Sequence, residues 1–349
     1  MNRFFEDIIR DEASGFFAGA LKIILWPLSL VYGGAVRILR AGYNLGWFSQ
    51  KKLPRPVISI GNITVGGSGK TPLVIWLVKR LTRQGVKIAV LTRGYKGGAA
   101  GNDEVRMIRE ALPDVPVIVG ADRCAAAMEF LKTSNVDGFV MDDGFAHRRL
   151  CRDLDIVAVE CLRGFGNGHL LPRGILREGL SGLKRADIIV VTKLDLNPDG
   201  EQSILETLKH AAIEKPVIRS RQRAAGLANL RDKTSQDLSW LNGRNVMILS
   251  SIADPKALEE TLKNLGACIA GRLDYPDHHA YSARDLRRIS GLCRDKFSPV
   301  IVTTAKDAVK LEPLLPQVPV ELDIRILNIE LIIHDEDILF QRIRGLFRG

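Results

Sequence analysis

Residues 57–73, VISIGNITVGGSGKTPL, decide the fold of this chain. A short apolar run leads into a glycine-rich turn, and Lys70 and Thr71 then open a predicted helix. Glycines let successive backbone N–H groups turn toward one anion, and the positive end of the following helix faces the same charge. In such a loop the lysine reaches the β- and γ-phosphates, and the threonine hydroxyl is a ligand of Mg²⁺. The stretch therefore predicts a nucleotide-binding phosphate loop.

The loop departs from the common G-x-x-x-x-G-K-[ST] pattern at one position. Thr64 stands where the pattern has glycine, and Gly66 and Gly67 supply flexibility two residues later. A plain glycine turn is the alternative, but it requires neither the Lys-Thr pair nor the order strand, loop, helix. The predicted nucleotide-binding residues are Thr64, Val65, Gly66, Gly67, Ser68, Gly69, Lys70 and Thr71.

Length and composition limit the class of protein. At 349 residues the chain exceeds the usual size of one hydrophobic core, so two domains are expected. The net charge of +10 fits a nucleic-acid binder, a protein at an anionic membrane or an enzyme of phosphorylated substrates. Nucleic acid has the least support, because zinc-finger spacing and an RNA-recognition signature are missing and aromatic residues are few. Five cysteines without a C-x-x-C pair indicate reduced thiols in a cytosolic compartment.

The N-terminal 50 residues differ from the rest of the chain. Residues 16–36 are apolar except for Lys22, and the shorter uncharged part between Lys22 and Arg37 contains Pro27 and the pair Gly33-Gly34. A membrane-spanning helix needs roughly 20 apolar residues, so we expect a helix lying in the membrane interface or a shallow anchor. Residues 37–55 carry five basic side chains and no acidic one, which suits anionic headgroups on the cytoplasmic side. An ordinary buried helix is the alternative.

After the phosphate loop, short apolar runs alternate with longer helical stretches. This alternation predicts an α/β fold with the doubly wound parallel sheet of P-loop NTPases and a second, smaller α/β domain. The expected strands are 57–60, 88–91, 117–119, 138–141, 155–159, 188–191 and 217–219, then 246–250, 268–270, 300–303 and 324–327. In the smaller domain the expected helices are 256–264, 283–295, 307–311 and 335–346. The expected divisions are 1–50 (apolar membrane-associated segment), 51–221 (nucleotide-binding domain), 222–242 (linker) and 243–349 (smaller domain).

Acidic residues follow two of the predicted strands. Ligands of parallel sheets bind beyond the carboxyl ends of the strands, so polar residues there matter most. A glycine-rich loop after the strand 88–91 brings Asp103 and Glu104 to that edge, and Asp142 and Asp143 follow the strand 138–141. Such a pair often only caps a helix. Downstream of a Gly-Lys-Thr loop, however, an acid in this place is typical of Mg²⁺ binding, and we favour that role.

Two further segments carry candidate binding residues. Glu160 ends a strand and opens a loop rich in glycine and arginine, long enough to be functional. Arg163, Arg173 and Arg177 of this loop can meet phosphate or anionic lipid, and solvated surface arginines are the alternative. Residues 276–279, PDHH, hold two histidines that can titrate or orient a partner, although such a pair is more often structural.

Several of these motifs resemble one family when they are taken in order. GNITVGGSGKTP, LTRGYKGG, NDE, DDGFAHRRLCRDLDIV, FGNGHLLPRGILRE, RADIIVVTK, YPDHHAYS and TTAKDAVKL are together similar to the tetraacyldisaccharide 4'-kinases, the lipid A 4'-kinases of Gram-negative bacteria. The resemblance runs from the apolar N-terminal segment almost to the C-terminus. It implies ATP-dependent phosphorylation, with Mg²⁺, of the 4'-hydroxyl of a lipid A disaccharide 1-phosphate precursor. The reaction would take place at the cytoplasmic face of the inner membrane, with a glycolipid and a membrane surface as partners.

The resemblance also implies roles for single residues. Asp103 matches the family's catalytic acid and His278 its partner histidine, and such a pair suits the removal of a proton from a sugar hydroxyl. Asp142 and Asp143 match the metal-organising acids, with Thr71 as a further Mg²⁺ ligand. Because Asp103 and His278 belong to different parts of the chain, we expect domain closure to complete the site. The expected substrate contacts are Arg93, Glu104, His147, Glu160, Asn167, Arg173 and His279.

Four departures from the family pattern concern substrate contacts rather than the reaction. Asn102 replaces the glycine before the Asp-Glu pair, and Val105-Arg106-Met107 replaces Pro-Leu-Leu after it. Ala146 replaces glutamine, and Ala305 replaces the glutamate of Thr-Glu-Lys-Asp. The proposed acids and histidines are all retained.

Two other classes of protein remain as alternatives. Residues 192–195, TKLD, resemble the guanine-reading [NT]KxD of GTP-dependent switches and metallochaperones. The Asp142-Asp143-Gly144 segment lacks the D-x-x-G spacing of those switches, which also have no need of an apolar N-terminus. A membrane-bound nucleotide-binding scaffold is the third possibility.

Overall fold

The chain forms two compact units. The computed structural model describes residues 7–9, 11, 13–94, 103–252, 254–276, 279–295, 300–319 and 322–347. Unit 1 comprises Met1–Tyr95, Ala111–Arg221 and Leu331–Gly349, and unit 2 comprises Lys96–Glu110 and Gln222–Glu330. Each unit is therefore built from segments that are distant in sequence.

Unit 1 contains a parallel sheet with helices in its crossovers. Its strands are β1 (Val57–Gly61), β2 (Ile88–Thr92), β3 (Val117–Val119), β4 (Gly138–Asp142), β5 (Leu154–Glu160), β6 (Ile188–Thr192) and the start of β7 (Val217–Asn229). Its helices are α1 (Phe16–Asn44), α2 (Lys70–Arg83), α4 (Arg123–Leu131), α5 (Gly200–His210) and α9 (Glu336–Arg344). The order β7-β6-β5-β1-β4-β2-β3 places the phosphate-loop strand β1 between β5 and β4.

Most of these strands are buried on both faces. Every residue of β1, β2, β4, β5 and β6 is buried, and most are aliphatic. Strands covered on both sides by crossover helices read as continuous apolar runs instead of alternating ones. As a result, the carboxyl ends of β1, β4 and β5 open at one edge of the sheet, where ligands of such folds bind.

Helix α1 has two faces of different character. It runs for 29 residues and contains Pro27, and only a narrow face is buried. Along the described part of the chain it is the one helix long and apolar enough to cross a membrane by length and composition. Its outward side chains include Phe16 at 86%, Ile23 at 74% and Val31 at 72% exposure. The rest of unit 1 therefore covers only a minor part of its apolar surface.

Unit 2 is a second α/β unit. Its strands are the continuation of β7, β8 (Ser235–Gln236), β9 (Asn245–Ser250), β10 (Cys268–Asp274), β11 (Val300–Thr304) and most of β12 (Asp323–Ile333). Its helices are α3 (Asp103–Ala111), α6 (Pro255–Asn264), α7 (Ala283–Asp295) and α8 (Ala305–Leu311). The strand order is β10-β9-β11-β12-β7, with β8 paired to β7, and β10, β9, β11 and β12 run parallel. Two apolar clusters fill its interior.

The predicted fold class is confirmed, and the differences concern the ends and connections of elements. The observed strands contain all the expected ones. Strand β7 is much longer than the expected 217–219, and the residues expected to link two domains at 222–242 form its second half, β8 and a short 3₁₀ helix, Leu238–Leu241. Residues Lys96–Glu110 belong to unit 2, although they lie between two strands of unit 1 in sequence.

Candidate active site

The phosphate loop has a backbone that only glycine adopts easily. Gly66 has a φ of 109° and Gly69 a φ of 77°, where side chains are disfavoured. Gly69 also caps α2, whose first turn contains no acidic residue and receives no side-chain cap. The first N–H groups of a helix lack partners within it and carry partial positive charge. The loop therefore presents an anion site at the N-terminus of a 14-residue helix.

Neighbouring side chains fix the shape of the loop. Asn62 Nδ2 donates to the carbonyl oxygen of Thr64 and to the hydroxyl of Ser68, both at 2.8 Å. The Thr192 hydroxyl, at the end of β6, donates to the carbonyl oxygen of Ser68 at 3.0 Å. Val65 N–H donates to the carbonyl oxygen of Ile175 at 2.8 Å. These bonds hold the loop in one conformation, and they occupy the N–H of Val65, while the N–H of Ser68 donates to the carbonyl oxygen of Gly66 at 3.0 Å.

Two acidic residues lie next to the loop because β4 pairs with β1. Asp142 is the last residue of β4, opposite Ile60 of β1, and is 2% exposed. Asp143 lies 3.6 Å from the Lys70 ammonium and accepts a bond of 3.1 Å from Arg177. Burial alone would raise the pKa of Asp143, but the charges of Lys70 and Arg177 outweigh burial and hold this pKa below its ordinary value. The carboxylate is therefore ionised at neutral pH.

The oxygen ligands at this edge suit Mg²⁺. The Asp142 carboxylate and the Thr71 hydroxyl are hard oxygen donors, which Mg²⁺ prefers, and Asp143 is the third predicted ligand. Within the described residues no group of three or more histidine, cysteine or acidic side chains forms a metal site of its own. A protein that holds Mg²⁺ with one or two carboxylates and the phosphates of a nucleotide does not need one.

A buried arginine that the sequence did not single out faces the two acids. Arg123, at the start of α4, is 5% exposed, and Asp143 and Asp142 attract its charge. Burial lowers the pKa of Arg123, and its Nε has no hydrogen-bond partner among the residues that the structure describes. Burial and the charge of Arg123 also lower the pKa of His147 to about 4. His147 is therefore neutral at pH 7; its N–H donates to the carbonyl oxygen of Gly144 at 2.9 Å, and its expected contact with substrate stays a prediction.

Glu160 is engaged in ion pairs beside the loop. Its carboxylate pairs with Lys193 and lies 3.7 Å from Arg163. A Cβ atom on Gly66 would come within 2.7 Å of the Arg163 guanidinium. Arg163 therefore lies against the phosphate loop at Gly66, and Arg177 adjoins it as well, because its N–H donates to the carbonyl oxygen of Ile63 at 2.7 Å. The TKLD segment supplies Thr192 and Lys193 to the same cluster.

Asn167 and Arg173 hold the N-terminal segment instead of facing the phosphate loop. Asn167 Nδ2 donates to the carbonyl oxygen of Ile9 at 2.7 Å. Arg173 is 8% exposed and donates to Asp11 at 2.6 Å and to the carbonyl oxygen of Ile8 at 3.4 Å. The structure therefore does not bring these two residues together with Lys70 and Asp142. Arg93 follows β2 and is exposed.

In unit 2, Asp103 and Glu104 form the first turn of α3. The Asp103 carboxylate lies 3.7 Å from the ammonium of Lys310. Lys310 also donates to Asp307 at 3.2 Å and to the Ser251 hydroxyl at 2.6 Å. Sequence reasoning missed Asp307 and Lys310, although the spacing of an acid and a lysine three residues apart in TTAKDAVKL was visible.

His278 lies outside the described residues, so its expected pairing with Asp103 stays a prediction. His279 is half-buried: its Nε2 lies 3.2 Å from Asp285, and its ring stacks on Tyr275 with centroids 4.4 Å apart. Tyr281 packs edge-on against the same ring at 5.2 Å. These contacts fix the imidazole of His279 within unit 2.

Comparison with known proteins agrees with this arrangement. The sequence profile of the tetraacyldisaccharide-1-P 4'-kinase family matches residues 21–348. The chain belongs to this family. A tetraacyldisaccharide 4'-kinase of Syntrophus aciditrophicus is 37% identical over 317 residues, 84% of this chain and 85% of the relative. One of Geobacter metallireducens is 36% identical over 310 residues, 84% of this chain and 89% of the relative.

A solved structure of the tetraacyldisaccharide-1-P 4'-kinase family has the same fold. The crystal structure of LpxK from Aquifex aeolicus in complex with ATP matches with a TM-score of 0.74 at 29% identity. The match covers 94% of this chain and 99% of the other. Family membership makes the chain a phosphotransferase with an alcohol acceptor, and the GTP-dependent switch is not favoured.

Proposed function

We propose that this chain transfers the γ-phosphate of ATP to the 4'-hydroxyl of a lipid A disaccharide 1-phosphate precursor. Family membership supports the reaction, and one structural observation supports the assignment of the nucleotide site to particular residues. A phosphate loop with two left-handed glycines opens beside the two acids that end β4 and follow it. This combination suits the phosphates of a nucleotide and the metal that accompanies them.

The donor residues lie in unit 1. The open N–H groups of the loop and the Lys70 ammonium bind the β- and γ-phosphates of ATP, and the Arg163 and Arg123 side chains add positive charge nearby. The relative from Aquifex aeolicus was solved with ATP. Thr71, Asp142 and Asp143 are the residues that would hold Mg²⁺, which when bound neutralises charge on the phosphates.

The chemical step is an in-line displacement at the γ-phosphorus. The oxygen of the acceptor hydroxyl forms a bond to phosphorus, the bond between phosphorus and the bridging β,γ-oxygen breaks, and ADP leaves. The hydroxyl proton passes to Asp103, which His278 orients in this proposal. Most of the rate enhancement comes from position and charge neutralisation, because little covalent chemistry is left to the protein.

The membrane is the natural location for such a substrate. The apolar outward face of α1, with Ile23 and Val31 largely exposed, suits the acyl region of a bilayer. Five basic residues from Arg37 to Arg55 suit anionic headgroups. We propose that the protein acts at the cytoplasmic face of the inner membrane, held there by α1.

The test is a transfer assay with purified protein. Incubation with γ-labelled ATP, Mg²⁺ and the lipid A disaccharide 1-phosphate precursor should place label on the lipid, and EDTA should abolish the transfer. Asp103→Asn should lower kcat by about 10²- to 10⁴-fold. The same variant should bind ATP normally, because the phosphate loop is unchanged. Consumption of ATP without labelled lipid would contradict the kinase, and a preference for GTP would favour the switch.

A further inference from the structure

Lys310 is a buried ammonium at the centre of a polar cluster in unit 2. Its side chain is 5% exposed and, among the described residues, has three oxygen neighbours: the Ser251 hydroxyl at 2.6 Å, Asp307 at 3.2 Å and Asp103 at 3.7 Å. A buried charge is costly unless it is paired and hydrogen-bonded. The two carboxylates and the hydroxyl meet that requirement.

Asp307 anchors this cluster to the sheet of unit 2. Its carboxylate is fully buried and accepts hydrogen bonds from the Ser251 N–H and hydroxyl, from Thr304 Oγ1 at 3.0 Å and from the Tyr281 hydroxyl at 3.3 Å. Burial and the charge of Asp307 raise the pKa of Tyr281, so its phenol stays protonated and donates. Ser251 directly follows β9, and Thr304 ends β11. The position of the Lys310 ammonium is therefore fixed by the paired strands β9 and β11.

Asp103, in contrast, stands at the end of a glycine-rich stretch. Residues 94–101 read GYKGGAAG, and Asp103 is the first residue of α3. A second ion pair holds the same helix one turn later, where Arg106 lies 3.6 Å from Glu312. Of these two ion pairs, only the one with Lys310 involves the carboxylate of Asp103, which accepts the proton in the proposed function.

We propose that Lys310 is a positioning residue for the phosphoryl transfer, which holds the Asp103 carboxylate in place through their ion pair. This inference rests on the proposed function of Asp103. General-base catalysis depends on the carboxylate lying within hydrogen-bond reach of the hydroxyl, and a shift of about 1 Å can cost about 100-fold in rate. The cluster of one ammonium and two carboxylates carries a net negative charge, which falls to zero when Asp103 accepts the proton.

The first test compares kinetic constants of three variants in the lipid-labelling assay. Lys310→Met should lower kcat about 10- to 100-fold and leave the KM for ATP within about twofold, because the phosphate loop is unaffected. Lys310→Arg, which keeps the charge, should recover part of the lost kcat. Arg106→Met removes the other ion pair of α3 and should keep kcat within about twofold. Equal losses in Lys310→Met and Arg106→Met would show a structural role only and overturn the inference.

A second test asks whether Lys310 acts through Asp103. In an Asp103→Asn background, Lys310→Met should cause no further loss of kcat, because residues acting as one unit are non-additive. Multiplicative losses would overturn the inference. A wild-type protein that fails to label the lipid would contradict the proposed function as well, whereas a normal kcat in folded Lys310→Met would contradict this inference alone.

A double variant separates an effect on catalysis from a loss of folding. Lys310→Met leaves Asp307 buried without its cation, which can destabilise unit 2. Lys310→Met/Asp307→Asn removes both charges and retains the bulk of both side chains. We expect this variant to melt near the wild-type temperature and still to show at least a tenfold lower kcat. A near-normal kcat in the folded double variant would overturn the inference.

Discussion

Gly66 has a backbone conformation and surroundings that disfavour any side chain. Its φ of 109° disfavours any side chain, and a Cβ atom would lie 2.7 Å from the Arg163 guanidinium. We expect Gly66→Ala to raise the Kd for ATP about tenfold or more, since such backbone strain costs about 1–3 kcal/mol. Calorimetric titration with ATP measures the change. Gly291→Ala is the matched control: a Cβ there meets nothing within 4 Å, so the Kd should stay unchanged.

His147 makes stability depend on pH. Burial and the nearby Arg123 and Arg152 lower its pKa to about 4, below the ordinary value of 6.5. Between these two values the unfolded chain binds a proton that the folded chain does not. The contribution of His147 is therefore fully present above pH 6.5 and lost as the pH falls toward 4.

The unfolding temperature measured from pH 7 to pH 4.5 tests this prediction. Wild type should lose stability more steeply than His147→Gln, whose side chain does not titrate. Parallel curves for the two proteins would show that His147 is not the group responsible.

Single residues differ in how well the sequence identifies them. The phosphate loop and Asp142 are recognisable because their signals lie in the order of the sequence: a strand, glycines and a lysine, and then an acid at the end of a later apolar strand. Arg123 and Lys310 are not, because their roles depend on which strands pair in three dimensions. Arg173 is a third case: the sequence does not reveal its bond to Asp11, and its expected contact with substrate stays a prediction.

At the scale of elements, α1 packs on unit 1 through small and polar residues. Ser29 donates to the carbonyl oxygen of Leu170 at 2.7 Å, and Tyr32 donates to that of Arg177 at 2.9 Å. Gly33 lies so close to Leu170 that a Cβ would approach its side chain to 2.7 Å, whereas a Cβ on Gly34 meets nothing within 4 Å. Adjacent glycines of one helix thus face different surroundings.

We expect Gly33→Leu to destabilise the packing of α1 and Gly34→Leu to be tolerated. Overpacking a close contact typically costs about 1–3 kcal/mol, while leucine in place of a helical glycine gains up to about 1 kcal/mol. Thermal unfolding in detergent, together with the rate of proteolysis within α1, measures both effects. Equal behaviour of the two variants would argue against close packing of α1 on Leu170.

The long strands β7 and β12 mark the limit of prediction at this scale. The apolar part of β7 was predicted, but its second half, RQRAAGLAN, has small and polar residues with weak strand propensity. This half forms a strand because it pairs with β8 and lies beside β12, and these contacts stabilise it in spite of its weak strand propensity. A sequence pattern expected to be a linker is therefore part of the sheet of unit 2.

At the scale of the whole molecule, charge and exposed apolar surface act on the same proposed partner. The chain carries a net charge of +10, and the outward face of α1 includes Ile23 and Val31. In this proposal the charge attracts an anionic bilayer over about a Debye length, roughly 10 Å at 0.1 M salt, and the apolar face contributes only on contact. Added salt should therefore weaken the electrostatic part of membrane binding, and polar substitutions on the outward face of α1 should weaken the apolar part.

Co-sedimentation with phosphatidylglycerol-containing vesicles tests this expectation. Raising NaCl from 50 to 500 mM should release part of the wild-type protein, and Ile23→Asp/Val31→Asp should release most of it at either salt concentration. Met128→Asp is the control, because Met128 is 46% exposed but lies on α4. Equal loss of binding in this control would mean that added negative charge, not the face of α1, decides binding.

The hydrogen bonds that join the N-terminal segment and α1 to the loop after Glu160 have a practical consequence for protein engineering. Removing residues 1–44 is an obvious way to make a version that needs no detergent. The deletion would, however, remove Asp11, which pairs with Arg173. It would also remove Ser29 and Tyr32, which donate hydrogen bonds to the carbonyl oxygens of Leu170 and Arg177. Arg177 is also the residue that bonds Asp143 beside the phosphate loop. A soluble enzyme suited to crystallography or inhibitor screening should therefore keep α1 and exchange only its outward side chains for polar ones.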